Sequence, residues 1–261
     1  MLTNGLRDER SAARTATLSE SLTLFFGGWL DQICAAEPFT NKVYVLYAGG
    51  DDLLIIGAWH VIPLLAARIA HDFHLYTGKN PSVHLSAGIS IVGAKEPLYA
   101  AVEAANKALK KAKQYPTPYN AAKNAINFLD KVVDWSDFQE VQQWRAQLAA
   151  LVANGAPKSL LLTLLQIYGQ YEDDHKSREN STSGYATRAK MGVYEKRSLY
   201  LGPWLWQMIY RLHRLSNEVL TREKIQEIQT VLLQTQRENR AGGVEKIALS
   251  ARWTQLMARK E

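Results

Sequence analysis

The sequence predicts an α+β domain over residues 1–133 followed by an all-helical domain over residues 134–261. Three observations carry this. Two β-rich runs, Lys42–Ala48 and Leu53–Ala58, are separated by Gly49-Gly50-Asp51-Asp52, a hairpin signal. Further on, Val83, Leu85, Ala87, Ile89 and Ile91 alternate with His84, Ser86, Gly88 and Ser90, the period of a half-buried strand. From about Asp134 such runs stop, and residues 138–153, 157–171, 198–217, 223–239 and 243–258 all read as helices.

The elements justify this in order. Leu18, Leu22, Phe25, Phe26, Trp29, Leu30 and Ile33 recur at helical spacing, with Ser19 and Glu20 opposite. The hairpin follows. Pro63 suits the first turn of a second helix, and Gly78 closes it after Ile62, Leu65, Ile69 and Phe73. After the alternating strand, residues 97–113 return to helix, rich in alanine and ending in lysines that complement the C-terminal dipole. Asn124–Leu129 reads as the last strand. Helix, strand, strand, helix, strand, helix, strand is the order of an antiparallel sheet with helices on one face, a ferredoxin-like palm. A complete palm opens on a central strand. Residues 1–13 are polar and charged, so this palm is expected to lack its first strand. In the second half, Glu172–Arg197 is rich in charge, Ser and Gly and reads as a long loop.

Bulk properties exclude several classes. With 47% hydrophobic and 21% charged residues the chain is neither disordered nor collagen-like. No apolar run is long enough to span a membrane, because Asp31, Arg68 and Asp72 interrupt the best stretches. The N-terminus lacks a signal core, and Cys34 is the single cysteine, which fits a reducing cytoplasm and excludes an internal disulfide. The net charge of +6 hints at a polyanionic partner, but the excess is spread over both halves.

The chemistry concentrates at the hairpin turn. Two glycines there tolerate positive φ, and a tight turn needs nothing more. Yet Asp51 and Asp52 sit together beside strands with no charge beyond Lys42, and adjacent carboxylates repel unless a cation neutralises them. Mg²⁺ takes one or two carboxylates plus substrate phosphates, which this turn offers. Lys107, Lys110, Lys111, Lys113 and Lys123 are either phosphate-reaching ammonium groups or a solvated lysine face. Ser86, Ala87 and Gly88 are small enough to admit a base or ribose, or to accommodate a packed helix. His71 and His74 share a helix face near His60 and His84, but no zinc signature or His-Asp nuclease pair accompanies them. Trp204, Trp206, Tyr210, Arg211 and Arg214 recur along a late helix, as core or as an RNA-stacking stripe.

The string Tyr47-Ala48-Gly49-Gly50-Asp51-Asp52-Leu53, then Leu85-Ser86-Ala87-Gly88-Ile89-Ser90, then an Ala-rich Lys helix ending in Lys123-Asn124-Ala125-Ile126, forms an ordered set. With the preceding helix from Ala13 to Phe26, it resembles the second palm domain of the large subunit of type III-A CRISPR effector complexes (the CRISPR-associated protein 10 family, Csm subtype). The helical half is similar to that subunit's C-terminal domain. The resemblance implies Mg²⁺- or Mn²⁺-dependent joining of ATP into cyclic oligoadenylate when target RNA is bound. Asp51 and Asp52 would be catalytic and hold the metal. Gly49 and Gly50 would let backbone N–H groups approach phosphate, and Ser86 and Lys113 would lie near the nucleotide. Implied partners are the other type III-A effector subunits, guide RNA, target RNA and a separately encoded N-terminal half.

The family's N-terminal nuclease domain, first palm and zinc region have no counterpart in this sequence, nor does the palm's opening aspartate-bearing strand. The chain is therefore expected to be a fragment, inactive alone. Two other readings stand beside the enzyme. One is a non-catalytic RNA-binding or scaffold piece of the same complex. The other is a GGDEF-type dinucleotide cyclase, which would carry Glu-Phe where this chain has Asp52-Leu53.

Overall fold

The first helix is longer in sequence than in regular geometry. α1 spans Ala12–Leu24, passes through a π-helical turn at Phe25–Trp29, and continues as α2, Leu30–Ala35. Gly27 and Gly28 lie inside that turn, where the low helix propensity of glycine permits the wider winding. The extra residue rotates the pattern. Leu22, Phe25, Phe26, Leu30 and Ile33 are buried, while Trp29, expected on the same face, is exposed and donates its indole N–H to Asp72 at 3.1 Å.

The computed structural model describes residues 12–50, 52–80, 82–115, 124–183, 203–233 and 242–258, in two compact units, Met1–Trp135 and Ser136–Glu261. In the first unit, β1 (Val43–Gly49) and β2 (Asp52–Gly57) form an antiparallel hairpin, followed by α3 (Ile62–Tyr76), β3 (Ala87–Gly88), α4 (Leu98–Gln114), β4 (Ala125–Phe128) and β5 (Lys131–Asp134). Phe25, Phe26, Leu65, Ile69 and Phe73 make the centre of its core, with Phe26 and Phe73 stacked at 5.7 Å. Val43, Val45, Ala48, Leu53 and Ile55 of the hairpin pack onto it, as do Val83 and Leu85.

The α+β class and palm-type elements stand, but one expectation is corrected. Instead of a single antiparallel sheet, the described strands form two: β1–β2, and β3–β4–β5. β3 is parallel to β4 and pairs only at Ala87 and Gly88, with one further bond from Ile89 N–H to the Asn127 carbonyl at 2.9 Å. The alternation over 83–91 therefore reports burial more than strand pairing. Trp135 indole N–H donates to the Leu85 carbonyl at 2.8 Å, diverting that group from any ladder. β5 was not anticipated. It is reached from β4 through Leu129 and Asp130, both at positive φ (51° and 61°), a turn that usually advertises itself by Asn or Gly.

The second unit is helical: α5 (Trp135–Ala153, its first residue at the boundary), α6 (Ser159–Ser183), α7 (Pro203–His213), α8 (Arg222–Leu232) and α9 (Gly243–Ala258). Leu148, Leu160, Leu164, Ile167, Met208, Leu212, Ile225 and Ile247 fill its core. Residues 172–183, expected in a loop, continue α6. No Gly or Pro interrupts the chain between Gly169 and Gly184, and Tyr168 and Glu172 hydrogen-bond one turn apart. Residues 184–197 of the expected loop lie outside the described residues.

Candidate functional site

The hairpin turn is built by local chemistry. Gly49 pairs with Asp52 across the strands, leaving Gly50 and Asp51 as a two-residue connection. Gly50 has φ +61°, which L side chains adopt at a cost, so glycine there is a backbone requirement. Asp51 lies outside the described residues, as do residues 1–11 and Lys123.

A β-bulge between Val45 and Tyr47 sorts the faces. Before it, Val43 and Val45 point to the core; after it, Ala48 does. Leu46 and Tyr47 are thereby turned outward together. On β2, Leu53 and Ile55 face the core, so period-two alternation puts Asp52, Leu54 and Ile56 on the opposite face. The register sets Tyr44 beside Ile56, Tyr47 beside Leu54, and Gly49 beside Asp52. Tyr44 is 67% exposed and Tyr47 56%, and a Cβ on Gly49 would lie 2.8 Å from the Tyr47 hydroxyl. The outer face is thus an open apolar and aromatic strip ending in an exposed carboxylate. Sequence reasoning singled out the turn but missed Tyr44 and Tyr47, because the bulge that exposes Tyr47 leaves no mark in the hydrophobic pattern.

Asp52 has no ion-pair partner among the described residues, which suits a carboxylate meant for an exogenous cation. Its oxygen donor, with Asp51 next in sequence, fits a hard cation such as Mg²⁺ rather than zinc. Among the described residues no cluster of three or more His, Cys, Asp or Glu is assembled. The histidines do not converge on the turn: His71 and His74 are exposed on α3, and His84 is half-buried, its pKa lowered by burial and then by His74.

Of the lysines on α4, Lys107 pairs with Glu103 at 2.7 Å and Lys111 with Asp130 at 3.3 Å. Lys110 is exposed and Lys113 half-buried, and neither has an ion-pair partner among the described residues. Ser86 Oγ is buried with no hydrogen-bond partner among the described residues. No hydrogen bond among the described residues links Ser86 or Lys113 to the hairpin turn. Gly88 has a structural use: a Cβ there would sit 2.2 Å from Leu109 N and 2.6 Å from the Ala105 carbonyl, so α4 lies directly on β3.

A hairpin with a left-handed glycine and an outer carboxylate, followed by small strands backed by α4, makes up a palm-type domain. Residues 1–126 match the family described as Cas10/Cmr2, second palm domain. It is 35% identical over 150 residues to the CRISPR system single-strand-specific deoxyribonuclease Cas10/Csm1 (subtype III-A) of Methanocaldococcus jannaschii, covering 52% of this chain and 19% of that protein. It is 28% identical over 190 residues to the Thermococcus onnurineus protein of the same description, covering 63% of this chain and 24% of the relative. The Streptococcus thermophilus counterpart is 35% identical over 86 residues, 33% of this chain and 11% of that one. The chain thus spans about a fifth to a quarter of the length of the first two relatives. No described helix is long and apolar enough to cross a membrane.

Proposed function

We propose that this chain supplies the ATP-handling turn of a cytoplasmic type III-A CRISPR effector complex that makes cyclic oligoadenylate when target RNA is bound. One observation carries the reading: Asp52 sits on the open, aromatic face of the β1–β2 hairpin, next to a turn whose glycine is held at positive φ. In each step the 3′-hydroxyl of one nucleotide attacks the α-phosphorus of an ATP, forming a 3′–5′ phosphodiester while pyrophosphate leaves and the hydroxyl proton passes to solvent. Asp51 and Asp52 would hold Mg²⁺ or Mn²⁺, which supplies Lewis-acid stabilisation of the developing phosphate charge. The Gly49 and Gly50 backbone, free of side chains, lets phosphate oxygens approach closely. Ser86 and Lys113 are assigned to the nucleotide's rim. Among the described residues Lys113 has no carboxylate partner and Ser86 Oγ no hydrogen-bond partner.

The activity belongs to the assembled complex, with its other effector subunits, guide RNA and target RNA. The test is reconstitution with those components, ATP and Mg²⁺, followed by mass spectrometry of ATP-derived products. The paired change Asp51→Ala with Asp52→Ala should abolish product and leave RNA binding intact. Product surviving in that double variant would sink the proposal. A second reading, a non-catalytic RNA-binding or scaffold piece, is favoured by the separation of β1–β2 from β3–β4–β5 among the described strands. It predicts no product from any reconstitution, with RNA binding lost alongside the two carboxylates.

A further inference from the structure

α7 carries two opposed faces. Trp204, Met208 and Leu212 point inward and are buried, Trp204 at 2% exposure. Trp206 and Tyr210, one turn apart on the other side, are 72% and 63% exposed. Burying large aromatic rings is favourable by kcal/mol each, so two rings left open on one helix face call for a partner. The stripe noted in the sequence is therefore divided: Trp204 is core, and Trp206 with Tyr210 is surface.

The charges around these rings say what kind of partner. Arg211 donates to Gln166 Oε1 at 2.9 Å and to Gln207 Oε1 at 3.4 Å, so its positive charge is oriented but not neutralised. Arg214 lies over the Tyr210 ring, 5.6 Å from its centroid, and among the described residues no carboxylate meets it. From Pro203 to Asn217 the sequence holds Arg211 and Arg214 and no Asp or Glu. A protein partner would bury these arginines against matching carboxylates or leave them unpaired at a cost. A single-stranded nucleic acid satisfies both features at once, phosphates for the guanidinium groups and base faces for the rings.

We infer that the outer face of α7, Trp206 and Tyr210 flanked by Arg211 and Arg214, is a stacking platform for single-stranded nucleic acid. Residues four apart on a helix are about 6 Å apart along its axis, so the two rings present consecutive stacking positions. The cation over Tyr210 occupies one side of that ring and leaves the other for a base. Neither base edges nor sequence are read, because stacking and phosphate contacts are sequence-tolerant.

The experiment uses the full chain and fluorescence anisotropy with a labelled, mixed-sequence RNA strand of about 20 nucleotides. Trp206→Ala with Tyr210→Ala is expected to weaken binding at least about tenfold. Trp206→Phe with Tyr210→Phe should stay within about threefold of wild type, because aromatic faces are kept. Arg211→Gln with Arg214→Gln should lower the slope of log affinity against log salt by about 1.4. Trp206, Tyr210 and Arg214 are exposed and Arg211 is half-buried, and unchanged thermal melts confirm the fold. The same strand as DNA separates the two possible ligands: equal losses assign the platform to stacking common to both, a loss on RNA alone assigns it to RNA. Absence of binding by wild type at low salt overturns the inference. So does an alanine double variant that binds nucleic acid like wild type, including one that instead loses a helical protein partner.

Discussion

In α9, Val244, Ile247, Leu249, Ala251 and Trp253 are buried along with Lys246, Ser250 and Thr254, whereas no described residue of β1 or β2 is fully buried. The helix is held on every side. Lys246 reaches Asp137 at 3.4 Å and Glu140 at 2.5 Å, Ser250 donates to the Val141 carbonyl at 3.0 Å, and Trp253 stacks on Phe138 at 5.9 Å. The hairpin is held on one side only, by Val43, Val45, Ala48, Leu53 and Ile55. An element packed all round carries stability; one packed on a single face leaves the other for a ligand.

The largest expected effect tests the first half of that contrast. Trp253→Ala removes a fully buried ring from between Phe138 and the Arg145 guanidinium, which lies 4.9 Å from the ring centroid. It should cost about 3–5 kcal/mol, read as a lower midpoint in urea unfolding of the second unit. A loss below about 1 kcal/mol would mean α9 is not the keystone its burial implies.

Next comes β3, the strand on which α4 lies directly. Gly88→Ala would drive a Cβ into backbone atoms of α4, which cannot yield as a side-chain tip can. We expect a cost of about 1–3 kcal/mol in chemical unfolding of the first unit. A neutral result would show that α4 can lift from β3, and with it Lys113 from its present place.

A smaller effect of opposite sign is expected at the β4–β5 turn. Asp130 holds φ 61° without being glycine, and its ion pair with Lys111 is exposed and therefore weak. Asp130→Gly should stabilise the first unit by about 0.5 kcal/mol, seen as a higher unfolding midpoint. Destabilisation would mean that the Lys111 pair outweighs the backbone strain.

What the sequence made legible follows from how far each signal reaches. Val43, Val45, Leu53 and Ile55 announce a hairpin because alternation is local, and Gly50 announces its turn because positive φ is a single-residue demand. The π-turn at Phe25–Trp29 and the bulge before Tyr47 each add one residue to a repeat. They leave composition unchanged while rotating Trp29 and Tyr47 to the outside. β5 was hidden because Leu129-Asp130 is held in a hairpin turn by its surroundings, not by its own preferences. Gly88 could be read as a ligand gap or as a packing gap, and only the approach of α4 decides between them. At the candidate site, the carboxylates and glycines were legible as residue types, and the aromatic face beside them was not.

The smallest effect concerns pH and again separates the units. His84 precedes β3, half-buried, with His74 of α3 as its charged neighbour. Burial first, and then His74, lowers its pKa from the ordinary value of 6.5. As pH falls below about 6.5 the unfolded chain takes up a proton that the folded chain still refuses. The contribution of His84 is therefore fully present above that value and is lost as pH falls toward its lower folded value. In urea unfolding followed from neutral pH into acid, wild type should lose more stability in this window than His84→Gln, and only in the transition of the first unit. Imidazole NMR titration gives the second reading: His74→Ala should move the His84 pKa upward, by less than the burial effect that remains. If the two unfolding profiles run parallel, His84 titrates as freely in the fold as out of it, and the segment leading to β3 is as open as the outer face of the hairpin.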